Sequence, residues 1–274
     1  LILCVVPVFN ADGAERFSPD NRPGQNGPLL GTGTRANRNR LDLNRDFIAL
    51  SQPETQGLVR FINTWDPHLF IDTHTTNGSA HRYLITFDGP KNPATHPDML
   101  KFSQEIFLPT IAESFHNTTG KHAFWYGNFE NNHTEWTTFP ANPRFGTTYV
   151  GLRNRLSILS EAYAYAPFED RVTGTLAFVR AALEQAAARR LEIQTLLDRA
   201  RSETTQSSHQ EIPIQSEARA FDEPITILGF EESAGAKPSE SYSSGVPRDY
   251  RVSLVTRFEP TKTVRRPFAY VIPP

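Results

Sequence analysis

Leu69-Phe70-Ile71-Asp72-Thr73-His74-Thr75-Thr76-Asn77-Gly78 runs from an apolar segment into a polar turn. Side chains on a strand repeat every two residues, so Asp72 and His74 share one face. In open α/β sheets, ligands gather beyond the carboxyl ends of the strands, where this pair stands. An imidazole there suits metal binding, with the carboxylate near enough to orient the ring. Alone, an Asp-x-His pair is more often just a hydrogen-bonded strand end, so its weight depends on its neighbours.

Upstream, Ser51 as a cap and Pro53 in the first turn predict a helix whose apolar face is Leu58, Phe61, Ile62 and Trp65. Asp66-Pro67 ends it and leads into the His74 strand. Before that helix, residues 18–40 form a long Gly/Pro/Asn/Arg-rich loop containing Arg35, Arg38 and Arg40, followed by Asp42-Leu43-Asn44-Arg45-Asp46-Phe47. Loops this long in compact domains tend to be functional. A guanidinium beside an Asn amide makes a donor set suited to a carboxylate. The chain opens in Leu1-Ile2-Leu3-Cys4-Val5-Val6, which reads as a buried strand.

Downstream, Arg82–Phe87 reads as a strand and Pro97–Phe115 as a helix with Met99, Phe102, Ile106, Ile111 and Phe115 inward. Residues 117–148 look like an aromatic, polar wall around a cleft. Leu156-Ser157-Ile158-Leu159-Ser160-Glu161 is a second strand, ending in an acid. One long helix is expected from Pro167 to about Ser202, with Val172, Leu176, Val179, Leu183, Leu191 and Leu197 along it. After a polar linker at 203–211, short strands are expected at 212–215, 225–230, 250–258 and 268–272, with 232–248 as a loop. The fold class is therefore α/β, a mixed, mainly parallel sheet flanked by helices, followed by a small all-β C-terminal module. The expected division is 1–205 and 206–274.

The composition is that of a globular protein: 274 residues, 38% hydrophobic and 21% charged. A net charge of −2 gives no reason to expect nucleic acid or an anionic membrane as partner. The single cysteine, Cys4, excludes an intrachain disulfide. The longest apolar run, Leu1 to Phe9, is too short to span a bilayer. Oligomeric state is not legible.

Arg35 with Asn44-Arg45, then Asp72-x-His74, then Glu161, stand in an order that resembles the zinc carboxypeptidase family. The likeness begins at Pro7-x-x-Asn10-x-Asp12-Gly13 and runs to about residue 165. It implies a hydrolase that removes the C-terminal residue of peptides, using one zinc ion and peptide C-termini as partners. It implies that Asn44 and Arg45 hold the terminal carboxylate and that Arg35, or less readily Arg38, stabilises the oxyanion. His74 matches a zinc ligand, Glu161 the general base and Tyr149, loosely, a substrate-capping tyrosine. A secreted or periplasmic location follows from the same resemblance.

The family's other two zinc ligands come from a His-x-x-Glu motif that this sequence lacks. If Leu1–Val6 is a strand inside the sheet, the motif is expected upstream of residue 1. The alternative is a relative that has lost its metal. Two other activities fit the same residues: an amidohydrolase of N-acyl amino acids, and a protein that binds peptide C-termini without cleaving them. Glu161 weighs against pure binding, since a binding site has no use for a general base.

Overall fold

The computed structural model describes residues 2–27, 30–76, 78–206, 211–231 and 238–267. Helix α1 (Ala11–Glu15) is followed by a 3-10 turn (Leu43–Arg45) and helix α2 (Pro53–Trp65). Strands β1 (Leu69–Thr76) and β2 (Tyr83–Asp88) come next, then helix α3 (Pro97–Lys101), a π-helical turn (Phe102–Phe107) and helix α4 (Leu108–Thr119). After strands β3 (His122–Trp125), β4 (Asn128–Glu130) and β5 (Glu135–Thr137) come helix α5 (Gly146–Leu152), strand β6 (Leu156–Tyr163) and helices α6 (Phe168–Ala188) and α7 (Arg190–Gln206). Strands β7 (Glu211–Ala220) and β8 (Ile225–Phe230), helix α8 (Pro238–Ser244) and strand β9 (Pro247–Arg265) follow.

The first sheet has the order β1-β6-β2-β3. Strands β1 and β6 pair parallel, as do β2 and β3, while β2 and β6 run antiparallel. This is the mixed, mainly parallel sheet expected. Helix α6 packs on β1, β2 and β6, and α5 packs on β1 and β6. The parity of β6 separates the two layers. Leu156, Ile158 and Ala162 enter the main core with Phe178, Phe115 and Ile111. Ser157 points the other way and donates to the Thr147 carbonyl of α5 at 2.8 Å. By alternation Leu159 and Glu161 share the Ser157 face, where the open end of the sheet forms a cleft.

Several expectations need correction. Ile2 to Val6 form no strand and are exposed. Apolar character alone does not make a buried strand; a hydrogen-bonding neighbour and a covering layer are also needed. On α2, Gln52 rather than Ser51 occupies the N-cap. Ser51 instead donates from its backbone and hydroxyl to Asp46 Oδ1, at 3.0 and 2.7 Å. The buried side chains of that helix are Thr55, Val59 and Ile62, and Trp65 is exposed.

The helix expected over 97–115 is interrupted by the π turn just before Pro109. Proline has no N–H to donate and its ring crowds the carbonyl four residues back, which a widened turn relieves. The long helix expected from 167 breaks at Arg189, between α6 and α7. Its buried stripe is Gly174, Phe178, Ala181 and Ala182, then Ile193, Leu196, Leu197 and Ala200; Val172, Leu176 and Leu191 are exposed. The break lets both halves face one core.

The C-terminal strands join a sheet of order β4-β5-β9-β7, with β8 also on β9. Glu135 to Thr137 of β5 run parallel to Ser253 to Val255 of β9, so the regions 1–205 and 206–274 share a sheet. Residues 238–244, expected in a loop, are helix α8. The strand expected at 268–272 lies outside the described residues.

His81 sits where the two sheets meet, only 3% exposed. Its ring is 4.1 Å from that of Tyr163 and 5.7 Å from that of Trp136, and its Nδ1 accepts from the Tyr83 N–H at 3.3 Å. Burial pushes its pKa down from 6.5 to about 3, with the Tyr83 contact acting the other way. The folded state therefore keeps His81 neutral where the unfolded chain binds a proton. Stability is full above the ordinary imidazole range and falls as pH drops towards the folded value. We expect a loss of roughly 2–3 kcal/mol from this residue between pH 7 and pH 4.5. Urea unfolding at both pH values checks it, and His81→Asn should be less stable at pH 7 but less pH-dependent.

Candidate active site

The floor of the cleft is set by register. In the parallel β1–β6 pair, His74 stands beside Glu161 and Asp72 beside Leu159. His74 Nε2 is 2.8 Å from Asp72 Oδ2, and its Nδ1 is 4.0 Å from Glu161 Oε1. Burial opposes a charge on His74, but the bonded Asp72 carboxylate, with Glu161 behind it, raises its pKa above the usual imidazole value. Glu161 is mostly enclosed. Desolvation pushes its carboxyl up to about 7, against the pull of His74 and Arg35. Its Oε2 is buried without a hydrogen-bond partner among the described residues. A carboxylate balanced between its two protonation states near neutral pH suits proton transfer.

The cationic wall comes from the Asn/Arg-rich loop, and its geometry follows from local hydrogen bonds. Asn10 caps α1 by accepting from Gly13 N at 3.0 Å and donates to the Arg35 carbonyl at 3.0 Å. Asp12 accepts from Arg38 N at 3.2 Å, and Thr34 N donates to the Gly13 carbonyl at 2.9 Å. The Asn10-x-Asp12-Gly13 motif is thus the fastener of the arginine loop. Asp46 holds the far side by accepting from Ser51 and, at 2.9 Å, from Gln52 N.

Asp42 is the centre of this wall. Its Oδ1 accepts from Asn44 N at 2.9 Å, capping the 3-10 turn. Its Oδ2 accepts from Arg35 Nε at 3.0 Å and lies 3.7 Å from Arg45 Nη1. Arg45 also donates to the Asn44 carbonyl at 2.8 Å, and its guanidinium lies over the Phe145 ring, 4.6 Å from the centroid. Asn44 Oδ1 accepts from Gly146 N at 2.9 Å, at the start of α5. With that oxygen engaged, its amide hydrogens are the groups left for a ligand.

Arg35, Asn44, Arg45 and Glu161 all line one cleft of about 590 Å³. Of the other residues singled out in the sequence, Arg38 is exposed and does not line it. Tyr149 does not line it either. Its hydroxyl accepts from Arg153 at 3.0 Å and its ring packs 5.7 Å from that of Phe47. Tyr126 is the tyrosine on the cleft, and burial raises its pKa. Sequence reading also missed Asp42 as the shared anchor and Arg22 as a further arginine lining the cleft. The Asp42-Leu43-Asn44 spacing carried a signal for the first, since an Asp immediately before a helical turn, two residues ahead of the N–H it accepts from, is a capping pattern.

The chain is similar in structure to bacterial metallo-carboxypeptidases. One, from Burkholderia cenocepacia, is 16% identical with a TM-score of 0.42, covering 59% of this chain and 43% of that one. Another, from Pseudomonas aeruginosa in complex with (2-guanidinoethylmercapto)succinic acid, is 18% identical with a TM-score of 0.41, covering 62% and 45%. The chain therefore spans less than half the length of either. No known family profile and no curated protein matches it.

The residues present do not by themselves fit a zinc centre. A catalytic zinc takes three protein ligands and one open position. His74 is not among the residues that line the cleft; its Nε2 is committed to Asp72, and it stands beside Glu161, which does line it. Among the described residues no three His, Cys, Asp or Glu side chains converge as a metal-binding group. No helix among them is long and apolar enough to cross a membrane.

Gly146 is where the wall and α5 meet most tightly. A Cβ there would come within 2.9 Å of the Phe47 ring. Gly146→Ala is expected to destabilise the fold by about 1–3 kcal/mol through this overpacking. It should also loosen the Asn44 contact. A lowered thermal midpoint, with a larger loss of affinity for carboxylate ligands than a Gly57→Ala control shows, checks this; a Cβ at Gly57 meets nothing within 4 Å.

Proposed function

We propose that the cleft receives the C-terminal carboxylate of a peptide, and that the chain is the substrate-holding and proton-transferring part of a carboxypeptidase. The observation that carries this reading is the convergence of Arg35, Asn44 and Arg45, fixed by one shared carboxylate, on the cleft that also contains Glu161. Arg45 and the Asn44 amide supply charged and neutral donors suited to a terminal carboxylate. Arg35 supplies a donor for the oxygen that becomes anionic when the scissile carbonyl turns tetrahedral. Glu161 takes the proton of the attacking water and returns it to the leaving amine, a transfer favoured by its balanced acidity. Tyr126, which lines the cleft, is the tyrosine this reading assigns to contact with the bound chain.

The resemblance in sequence implies one zinc ion, for which His74, next to Glu161 on the neighbouring strand, would be the imidazole ligand. A zinc ion here needs donors that the described residues do not supply, and no step above passes through it. Zinc is accordingly expected to bind this chain weakly, in the micromolar range or worse, and not at all after His74→Ala. Competition with a chromophoric chelator measures both. A secreted or periplasmic setting belongs to the same reading.

The same donor set supports a second reading, in which peptide C-termini are held without hydrolysis. An N-acyl amino acid would engage the same carboxylate clamp. Two substitutions separate these. Arg45→Gln should weaken binding of a peptide acid by about tenfold or more and leave binding of the matching C-terminal amide little changed. Glu161→Gln should leave binding of the acid within a few-fold and, in any form of the protein that hydrolyses peptides, lower kcat by about two orders of magnitude or more. Equal affinity for acid and amide in the unmodified chain would sink the carboxylate reading. Hydrolysis that survives Glu161→Gln would remove Glu161 from the reaction.

A further inference from the structure

Arg22 plays no part in the scheme above, yet it lines the same cleft as Arg35 and Glu161. It opens a tight turn, closed by Gln25 N donating to the Arg22 carbonyl at 2.9 Å. Both sides of the turn are tied down. Asn21 Nδ2 donates to the carbonyls of Arg16 and Thr32 at 2.6 and 2.9 Å. Asn26 donates from its backbone to Ala164 at 3.0 Å and from its side chain to Tyr165 at 2.6 Å, just past the end of β6. Arg171, a buried side chain, donates to the Asn26 carbonyl. Arg22 itself has φ +52°, a left-handed conformation that a residue with a β-carbon adopts only under constraint.

The turn therefore fixes the backbone from which a partly buried guanidinium reaches the cleft. Among the described residues that guanidinium has no hydrogen bond or ion pair. Its charged neighbours are Arg35, Glu161 and Asp42; those of Arg45 are Asp42, Arg35 and Arg144. Arg35 and Asp42 are therefore charged neighbours of both Arg22 and Arg45. Asp42 is already engaged with Arg35 and Arg45, so the cleft carries more positive charge than its own acids balance. An unpaired, partly desolvated guanidinium next to another is unfavourable until an anion arrives.

We propose that Arg22 binds an acidic group on the acyl side of the scissile bond, so that the cleft prefers peptides whose penultimate residue is Glu or Asp. The assignment rests on the carboxylate reading: with the terminal carboxylate at Arg45 and the scissile carbonyl at Arg35, Arg22 is the remaining arginine that lines the cleft. Planar bidentate pairing to a carboxylate is what a free guanidinium fork offers.

Calorimetric titration of the chain with acetyl-Glu-Ala and acetyl-Gln-Ala, each as free acid and as C-terminal amide, tests it. The expected result is about tenfold tighter binding of the Glu acid than the Gln acid at low ionic strength. Arg22→Asn, which tolerates the left-handed turn, should bring that ratio to near one, and Arg22→Glu should invert it. Equal affinities for the two acids in the unmodified chain, or a preference that survives Arg22→Asn, overturns the proposal. So does a preference seen only when the acid is moved to the last residue, as in acetyl-Ala-Glu against acetyl-Ala-Gln. Loss of the acid-over-amide difference is the separate signature of a failed carboxylate reading. If none of the peptides binds, both readings fall.

Discussion

Two guanidinium groups placed side by side repel each other, and the cationic wall of this protein exists because one carboxylate stands between them. Asp42 bonds Arg35, attracts Arg45 and caps the turn that carries Asn44. All three donors owe their places to that residue. The pairs are exposed enough for solvent to screen them, so their contribution is to orientation more than to stability. The supports behind Asp42 are better buried. Asn37 is almost fully enclosed, accepts from the backbone of Asn39 and Leu41 and donates to Gln52. Asp46 binds the start of α2. The stretch from Asn37 to Asp46 is thereby tied to its surroundings, as a recognition surface requires.

The opposite side of the cleft obeys the sheet. Alternation along β6 sends Ile158 into the helical core and Glu161 into the cleft, and parallel register sets His74 beside it. That arrangement was readable from two short stretches, because a period of two and the location of strand ends leave little freedom. The donor pair Asn44-Arg45 was readable for a similar reason: two complementary side chains adjacent in sequence need little tertiary information to be placed together.

What was not readable depended on contacts between distant segments. Arg22 differs from the other loop arginines only through its anchors on Arg16, Thr32, Ala164 and Tyr165, none of which a local pattern announces. Tyr149 sat at a plausible distance from Glu161 in sequence, but α5 turns it towards Arg153. The apolar opening of the chain was misread because periodicity reports what a segment could bury, not whether anything is there to cover it. The faces of α6 and α7 shifted for a related reason: the break at Arg189 resets the phase of the buried stripe.

The pairing of β5 with β9 has a consequence in time. Glu135 has its partner at Ser253, and the strand between Tyr126 and Phe139, both on the cleft, has its buried Trp136 packed with Val252 and Leu254. As the chain leaves the ribosome, His74 and Glu161 can meet long before that aromatic wall has anything to lean on. Strand β9 therefore finishes a cleft whose floor was made much earlier. A chain without β9 would keep His74 beside Glu161 and lose the wall opposite them.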